Sequence, residues 1–201
     1  MNLPNKLTIA RVALIPVFVA LYLSGLPHNY FWALVVFGAA SFTDLLDGHL
    51  ARKHGLVTDF GALMDPLADK LLVMSAIILF LKSELVGAAA VILLLGREFL
   101  VTSIRLVAAG KGKVISADRW GKMKTVFQMI WICLGLFFLW VTGLLAGWQG
   151  ALPLGIAFEG GARAILVCWA VFRILTWVVV ALTALSGVNY MVKNREMFGD
   201  N

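Results

Sequence analysis

The chain reads as an all-α membrane protein, a bundle of about six transmembrane helices with a short N-terminal amphipathic segment. Three observations carry that reading. Of 201 residues, 61% are hydrophobic and 14% charged, against about 45–50% and about 25% in a soluble domain, and the mean hydropathy is +0.92. The apolar residues gather in stretches near the roughly 20 residues that a helix needs to cross hydrocarbon. The cations gather at one set of stretch ends: Lys6, Arg11, Arg52, Lys53, Lys111, Lys113, Arg119, Lys122, Lys124, Lys193 and Arg195, whereas the opposite ends carry Lys82 and Arg163. That asymmetry is the positive-inside pattern, and it places both termini and the Arg52 and Lys111 loops in the cytoplasm. It also accounts for the net charge of +6 with no nucleic-acid partner.

Spans are expected at 8–25, 29–51, 60–82, 85–109, 120–146 and 164–190. Arg11 interrupts the first and Pro16 follows, with no convincing small-residue cleavage site, so it is not a cleavable signal peptide. The second ends in a run of acids. In the third, Pro66 either kinks the helix or lies in its first turn. The fourth places Arg97 after the run Val91–Leu95, well inside apolar sequence. The stretch from Gly143 to Gly161, with Trp148 and Pro153, reads as an outer loop after the fifth. The sixth holds Arg173, a buried cation without a legible partner. Trp32, Trp120, Trp140 and Trp148 fall near span boundaries, as an aromatic belt does. Cys133 and Cys168 lie far apart with no CxxC pairing and read as small core residues. With no internal repeat or linker, residues 1–201 form a single domain.

The chemistry concentrates in Asp44-Leu45-Leu46-Asp47-Gly48-His49-Leu50-Ala51-Arg52, followed by Gly61, Asp65 and Asp69. A carboxylate at membrane depth is costly and usually faces a polar cavity or a counter-charge. On a helix, Asp44, Asp47, Gly48 and Ala51 stand at i, i+3, i+4 and i+7 and share one face. Two acids thus sit beside two of the smallest residues, which leaves room for a ligand or for close helix packing. Gly61, Asp65 and Asp69 repeat the arrangement on the next span, and the short connection makes the two helices antiparallel neighbours. Four clustered carboxylates repel one another. They shed charge by protonation, by pairing with Arg52, Lys53 or Lys70, or by binding a cation. Oxygen ligands without His or Cys suit hard ions such as Mg²⁺, Mn²⁺ or Ca²⁺. His49 and His54 lack a second histidine at ligand spacing and read as interface residues. Spacing alone leaves two chemistries open: metal-assisted phosphoryl transfer and cation or proton transport.

The run Asp44-x₂-Asp47-Gly48-x₂-Ala51-Arg52-x₈-Gly61-x₃-Asp65-x₃-Asp69 resembles the signature of the CDP-alcohol phosphotransferases at every defined position. Eight defined residues over 26 positions make that resemblance specific. It extends to Leu3-Pro4-Asn5-Lys6-Leu7-Thr8-Ile9-Ala10-Arg11, to Asp65-Pro66-Leu67-Ala68-Asp69-Lys70, to Gly96-Arg97-Glu98-Phe99 through Arg105, to Gly121-Lys122-Met123-Lys124-Thr125, and to Gly187-Val188-Asn189-Tyr190 near the end. These segments are similar to those of family members that use a glycerol phosphate acceptor. The resemblance implies a single membrane domain of six helices, usually a homodimer, in a bacterial cytoplasmic (inner) membrane, its site open to the cytoplasm and the membrane lipid. It implies CDP-diacylglycerol as donor and sn-glycerol 3-phosphate as acceptor, giving phosphatidylglycerol phosphate and CMP, with two Mg²⁺ or Mn²⁺ ions as cofactor. Other acceptors in the family are serine, inositol phosphate and phosphatidylglycerol.

Residue by residue, the resemblance implies that Asp44, Asp47, Asp65 and Asp69 bind metal, and that Asp69 is also the general base. Gly48, Ala51, Arg52 and Gly61 would border the cytidine nucleotide. Arg97, Arg105, Lys122 and Tyr190 would bind the acceptor phosphate. An arginine fork suits phosphate, and Arg97, Glu98, Thr102 and Arg105 span an arc of about 140° at about 100° per residue. Arg97 is alternatively neutralised by Glu98 or an aspartate as a structural pair, and Lys122 is alternatively one more orienting lysine.

Overall fold

The computed structural model describes the backbone of residues 3–54, 59–110, 119–145 and 159–193, and within them the side chains of 8–43, 67–110, 121, 123–144 and 165–193. These residues form six helices and, among them, no strand: α1 Leu3–Leu23, α2 Asn29–His54, α3 Asp59–Lys82, α4 Ala88–Gly110, α5 Arg119–Leu145 and α6 Glu159–Lys193. Each matches an expected span to within a few residues. The exception is the N-terminal amphipathic segment, which is no separate element: α1 begins at Leu3 and continues through Pro16. Apolar sequence on both sides gives the backbone no better partner than its own helix. Similarly α3 begins at Asp59, so Pro66 lies beyond its first turn. The expected outer loop falls between α5 and α6, and most of it lies outside the described residues.

Small and polar residues share the interior with large ones such as Phe18, Phe37, Phe80 and Trp131, while many other large apolar side chains face outward. Ala33, Ala40, Ala68, Ala76 and Ala108 are fully enclosed, and so are the polar Thr8, Arg11, Asn29, Gln128 and Thr183. Meanwhile Ile92, Leu106, Leu166 and Ile174 are each more than 60% exposed. Lipid tails are as apolar as leucine, so helices in a bilayer associate through close packing of small side chains and through internal polar contacts. Among the described residues, Met123–Leu144 and Ile165–Lys193 are long and apolar enough to cross a membrane, and Thr8–Leu23 and Asn29–Thr43 are shorter apolar helices.

The chain divides into two units, Met1–Phe80 with Ile132–Cys168, and Leu81–Trp131 with Trp169–Asn201. In the first, α1 packs against α2, with the Phe18 and Phe37 rings 5.7 Å apart and the Tyr22 hydroxyl donating to the Leu79 carbonyl at 3.1 Å. Their connection turns on left-handed backbone at Gly25 (φ 62°) and His28 (φ 58°). Glycine adopts that conformation without steric cost. Asn29 then opens α2 and donates to the Tyr22 carbonyl at 2.9 Å, satisfying one of the carbonyls a helix end leaves open. Trp140 closes this end by donating to His28 Nδ1 at 3.1 Å and lying 5.0 Å from the Phe31 ring. It is therefore a packing residue rather than simply a belt tryptophan. In the second unit, Trp131 stacks on Phe172 (5.7 Å, 15°) and donates to Thr176 Oγ1 at 3.1 Å.

Candidate active site

The expected site residues fall in two sets, one in each unit. In the first, α2 buries Ala33, Phe37 and Ala40. Positions 44, 47, 48 and 51 follow at spacings of three and four in the same unbroken helix, so they continue that face in register. On α3 the buried face comprises Leu72, Val73, Ala76 and Phe80. Asp69 stands three and four residues before the first two and is half-buried. It is engaged by neighbouring groups, as is Lys70. Positions 65 and 61 precede Asp69 by four and eight residues on the same helix. The side chains of Asp44, Asp47, His49, Arg52, His54 and Asp65, with Gly48, Ala51 and Gly61, lie outside the described residues. Among the described residues, no three His, Cys, Asp or Glu side chains are grouped to hold a metal ion. The donor set nevertheless fits a hard divalent cation: it is all carboxylate oxygen, and the one described member lies on the helix's inner side.

In the second unit α4, α5 and α6 assemble a charged cluster. Arg97 is half-buried; its Nη2 donates to Ser186 Oγ at 2.8 Å, and its Nη1 lies 3.5 Å from Glu98 Oε1. Lys124, buried on α5, donates to the same Glu98 oxygen. One turn from Glu98, Thr102 Oγ1 donates back to its carbonyl at 2.7 Å. Further along α4, Arg105 Nε donates to the Tyr190 hydroxyl at 3.4 Å, with the guanidinium 5.6 Å from that ring's centroid. Tyr190 is itself buried against Val101 and Ile104. Among the described residues the cluster therefore sets two cations, Arg97 and Lys124, against one carboxylate, with Arg105 nearby. Of the four expected phosphate ligands, Arg97, Arg105 and Tyr190 meet here, while the Lys122 side chain lies outside the described residues.

Three sequence readings are corrected. Lys124 is no orienting lysine, because it is buried and neutralised by Glu98. Arg11 likewise is fully enclosed rather than an end charge. Arg173, expected to be buried, is exposed on α6, since the inner face there belongs to Phe172 and Thr176. Cys133 is half-buried and Cys168 exposed, both free. Sequence reasoning also missed Ser186, Thr183 and Gln128. A signal existed: Thr176, Thr183, Ser186 and Tyr190 repeat at intervals of seven, three and four, which is one helical face.

A family model for CDP-alcohol phosphatidyltransferase matches residues 1–185. The chain is 38% identical over 207 aligned positions to a CDP-diacylglycerol–glycerol-3-phosphate 3-phosphatidyltransferase of Bacillus subtilis, covering 97% of this chain and 96% of the relative. A protein of the same name from Rickettsia bellii is 34% identical over 98% of this chain and 97% of its own. A probable phosphatidylglycerophosphate synthase of Mycobacterium tuberculosis is 37% identical, over 96% of this chain and 81% of its own. On these matches, spanning both polar regions, the chain belongs to the CDP-alcohol phosphatidyltransferase family.

Proposed function

We propose that this chain transfers the phosphatidyl group of CDP-diacylglycerol to sn-glycerol 3-phosphate, forming phosphatidylglycerol phosphate and releasing CMP. The observation that carries the reading is the full-length likeness to relatives bearing that activity in their names, in a chain holding every defined residue of the aspartate signature. The charged cluster supports the acceptor assignment. Among the described residues two cations meet one carboxylate, a positive balance that an acceptor bearing phosphate uses and a serine acceptor does not.

Asp69 takes the proton from the free primary hydroxyl of glycerol phosphate, for which a carboxylate within hydrogen-bond reach suffices. That oxygen bonds to the phosphorus carrying diacylglycerol as the bond from the same phosphorus to the CMP oxygen breaks, and CMP leaves with the electron pair. Asp44, Asp47, Asp65 and Asp69 would hold Mg²⁺ or Mn²⁺, two ions in all, which when bound neutralise the pyrophosphate charge. Gly48, Ala51, Arg52 and Gly61 border the nucleotide, where small side chains admit a flat base. Arg97, Arg105, Lys122 and Tyr190 orient the acceptor phosphate. The six helices span a bacterial cytoplasmic membrane as one domain and pair as a homodimer, the site opening toward cytoplasm and inner leaflet. This placement suits one soluble and one lipid substrate.

The deciding assay gives purified protein CDP-diacylglycerol with glycerol 3-phosphate, serine, inositol phosphate or phosphatidylglycerol and reads CMP. CMP release with glycerol 3-phosphate is expected. Release only with another acceptor overturns the acceptor, and ion flux without CMP release overturns the enzyme.

A further inference from the structure

Arg97 is held from α6, at two adjacent residues that play different parts. Ser186 accepts a hydrogen bond from its Nη2 at 2.8 Å. Gly187, buried beside it, lies so close that a Cβ built there would stand 3.0 Å from Arg97 Cγ. Among the described glycines it is the one whose added Cβ would meet another group, so the missing side chain is the space the arginine stem occupies. Helical geometry does not ask for glycine here. Mid-helix glycine costs about 1 kcal/mol relative to alanine, and no left-handed backbone is present at this position.

The same contacts leave the guanidinium partly unspent. With Nη2 on Ser186 and Nη1 facing a Glu98 already neutralised by Lys124, the buried Arg97 Nε has no hydrogen-bond partner. A buried donor left open in this way is costly unless something accepts from it, and an anionic oxygen is the matching acceptor.

We propose that Ser186 and Gly187 form a seat on α6 that aims the Arg97 guanidinium at the acceptor's phosphate, which makes both of them positioning residues for the transfer. This rests on the reading of Arg97 as a phosphate ligand. Gly187 admits the stem and Ser186 fixes the fork. An alanine at 187 pushes the stem by a few tenths of an ångström while improving helix propensity, so acceptor binding and stability part company.

Steady-state kinetics with CDP-diacylglycerol and glycerol 3-phosphate test this on Gly187→Ala, Ser186→Ala, Ser186→Thr, Arg97→Ala and the double variant Gly187→Ala/Arg97→Ala. Arg97→Ala is expected to raise the acceptor KM most. Gly187→Ala and Ser186→Ala should each raise it roughly three- to tenfold, since small misplacements of an orienting group are felt strongly. The lipid KM and the melting temperature should hold or the latter rise, and Ser186→Thr should retain near-native acceptor KM. In the double variant, Gly187→Ala should add nothing to Arg97→Ala. If Gly187→Ala leaves the acceptor KM unchanged, raises both KM values alike, or adds its full effect in the Arg97→Ala background, the seat is refuted. An unchanged acceptor KM in Arg97→Ala instead refutes the phosphate reading beneath it.

Discussion

The aspartate face of α2 and α3 and the charged cluster of α4, α5 and α6 solve the same problem, charge inside an apolar chain, in opposite ways. The aspartates carry one sign, at spacings of three and four along two consecutive helices, and the one whose side chain is described, Asp69, is engaged by neighbouring groups. The cluster mixes signs and compensates itself, through partners 26, 85 and 89 residues apart in sequence. Carboxylates of one sign suit a hard divalent cation, whereas a mixed cluster richer in cations than in acids suits an anion.

Removing what each region depends on is the sharpest way to break that contrast. Chelation with EDTA should abolish turnover reversibly, with Mg²⁺ or Mn²⁺ restoring it, and activity surviving thorough chelation contradicts the metal assignment. Asp69→Asn should lower kcat by about 10²- to 10⁴-fold, the usual contribution of a general base, while the protein still binds CDP-diacylglycerol; near-normal turnover removes Asp69 from that role. In the self-compensated cluster the effect should be on stability. Glu98→Gln removes the carboxylate that meets the buried Lys124 and should cost about 3 kcal/mol, read as a lower melting temperature in detergent; an unchanged melt means the pair is not buried in the working protein. Arg105→Ala, at an exposed position stacked on Tyr190, should raise the acceptor KM about tenfold, or roughly 1.4 kcal/mol, with little change in the lipid KM; equal shifts would assign Arg105 to structure. Smallest of all, Trp131→Phe keeps the stack on Phe172 and loses the bond to Thr176. About 1 kcal/mol of stability should go, with kinetics unchanged.

The first region was legible because its information is local. Hydropathy marks the six helices to within a few residues, and the signature needs no contact to be read, only a helical period. Pro16 and Pro66 misled little, since apolar surroundings hold a helix through them. The second region was half legible. Arg97 and Arg105 announced themselves as cations in apolar sequence, yet Lys124 looked like its neighbours at a span end, and Arg173 looked as buried as Arg97. Their fates differ because α5 turns Lys124 toward Glu98 whereas α6 gives its inner face to Phe172 and Thr176.

What the amino-acid order determined by itself was the helical class, the helix positions and the spacing of the acids, all properties of short windows governed by backbone period and lipid solubility. The partners of Lys124 and Arg97, the enclosure of Arg11, the exposure of Arg173 and the close approach of Gly187 to the Arg97 stem were decided only when distant helices packed. Each depends on which side chain another helix brings within hydrogen-bond or van der Waals reach, and no local pattern encodes that.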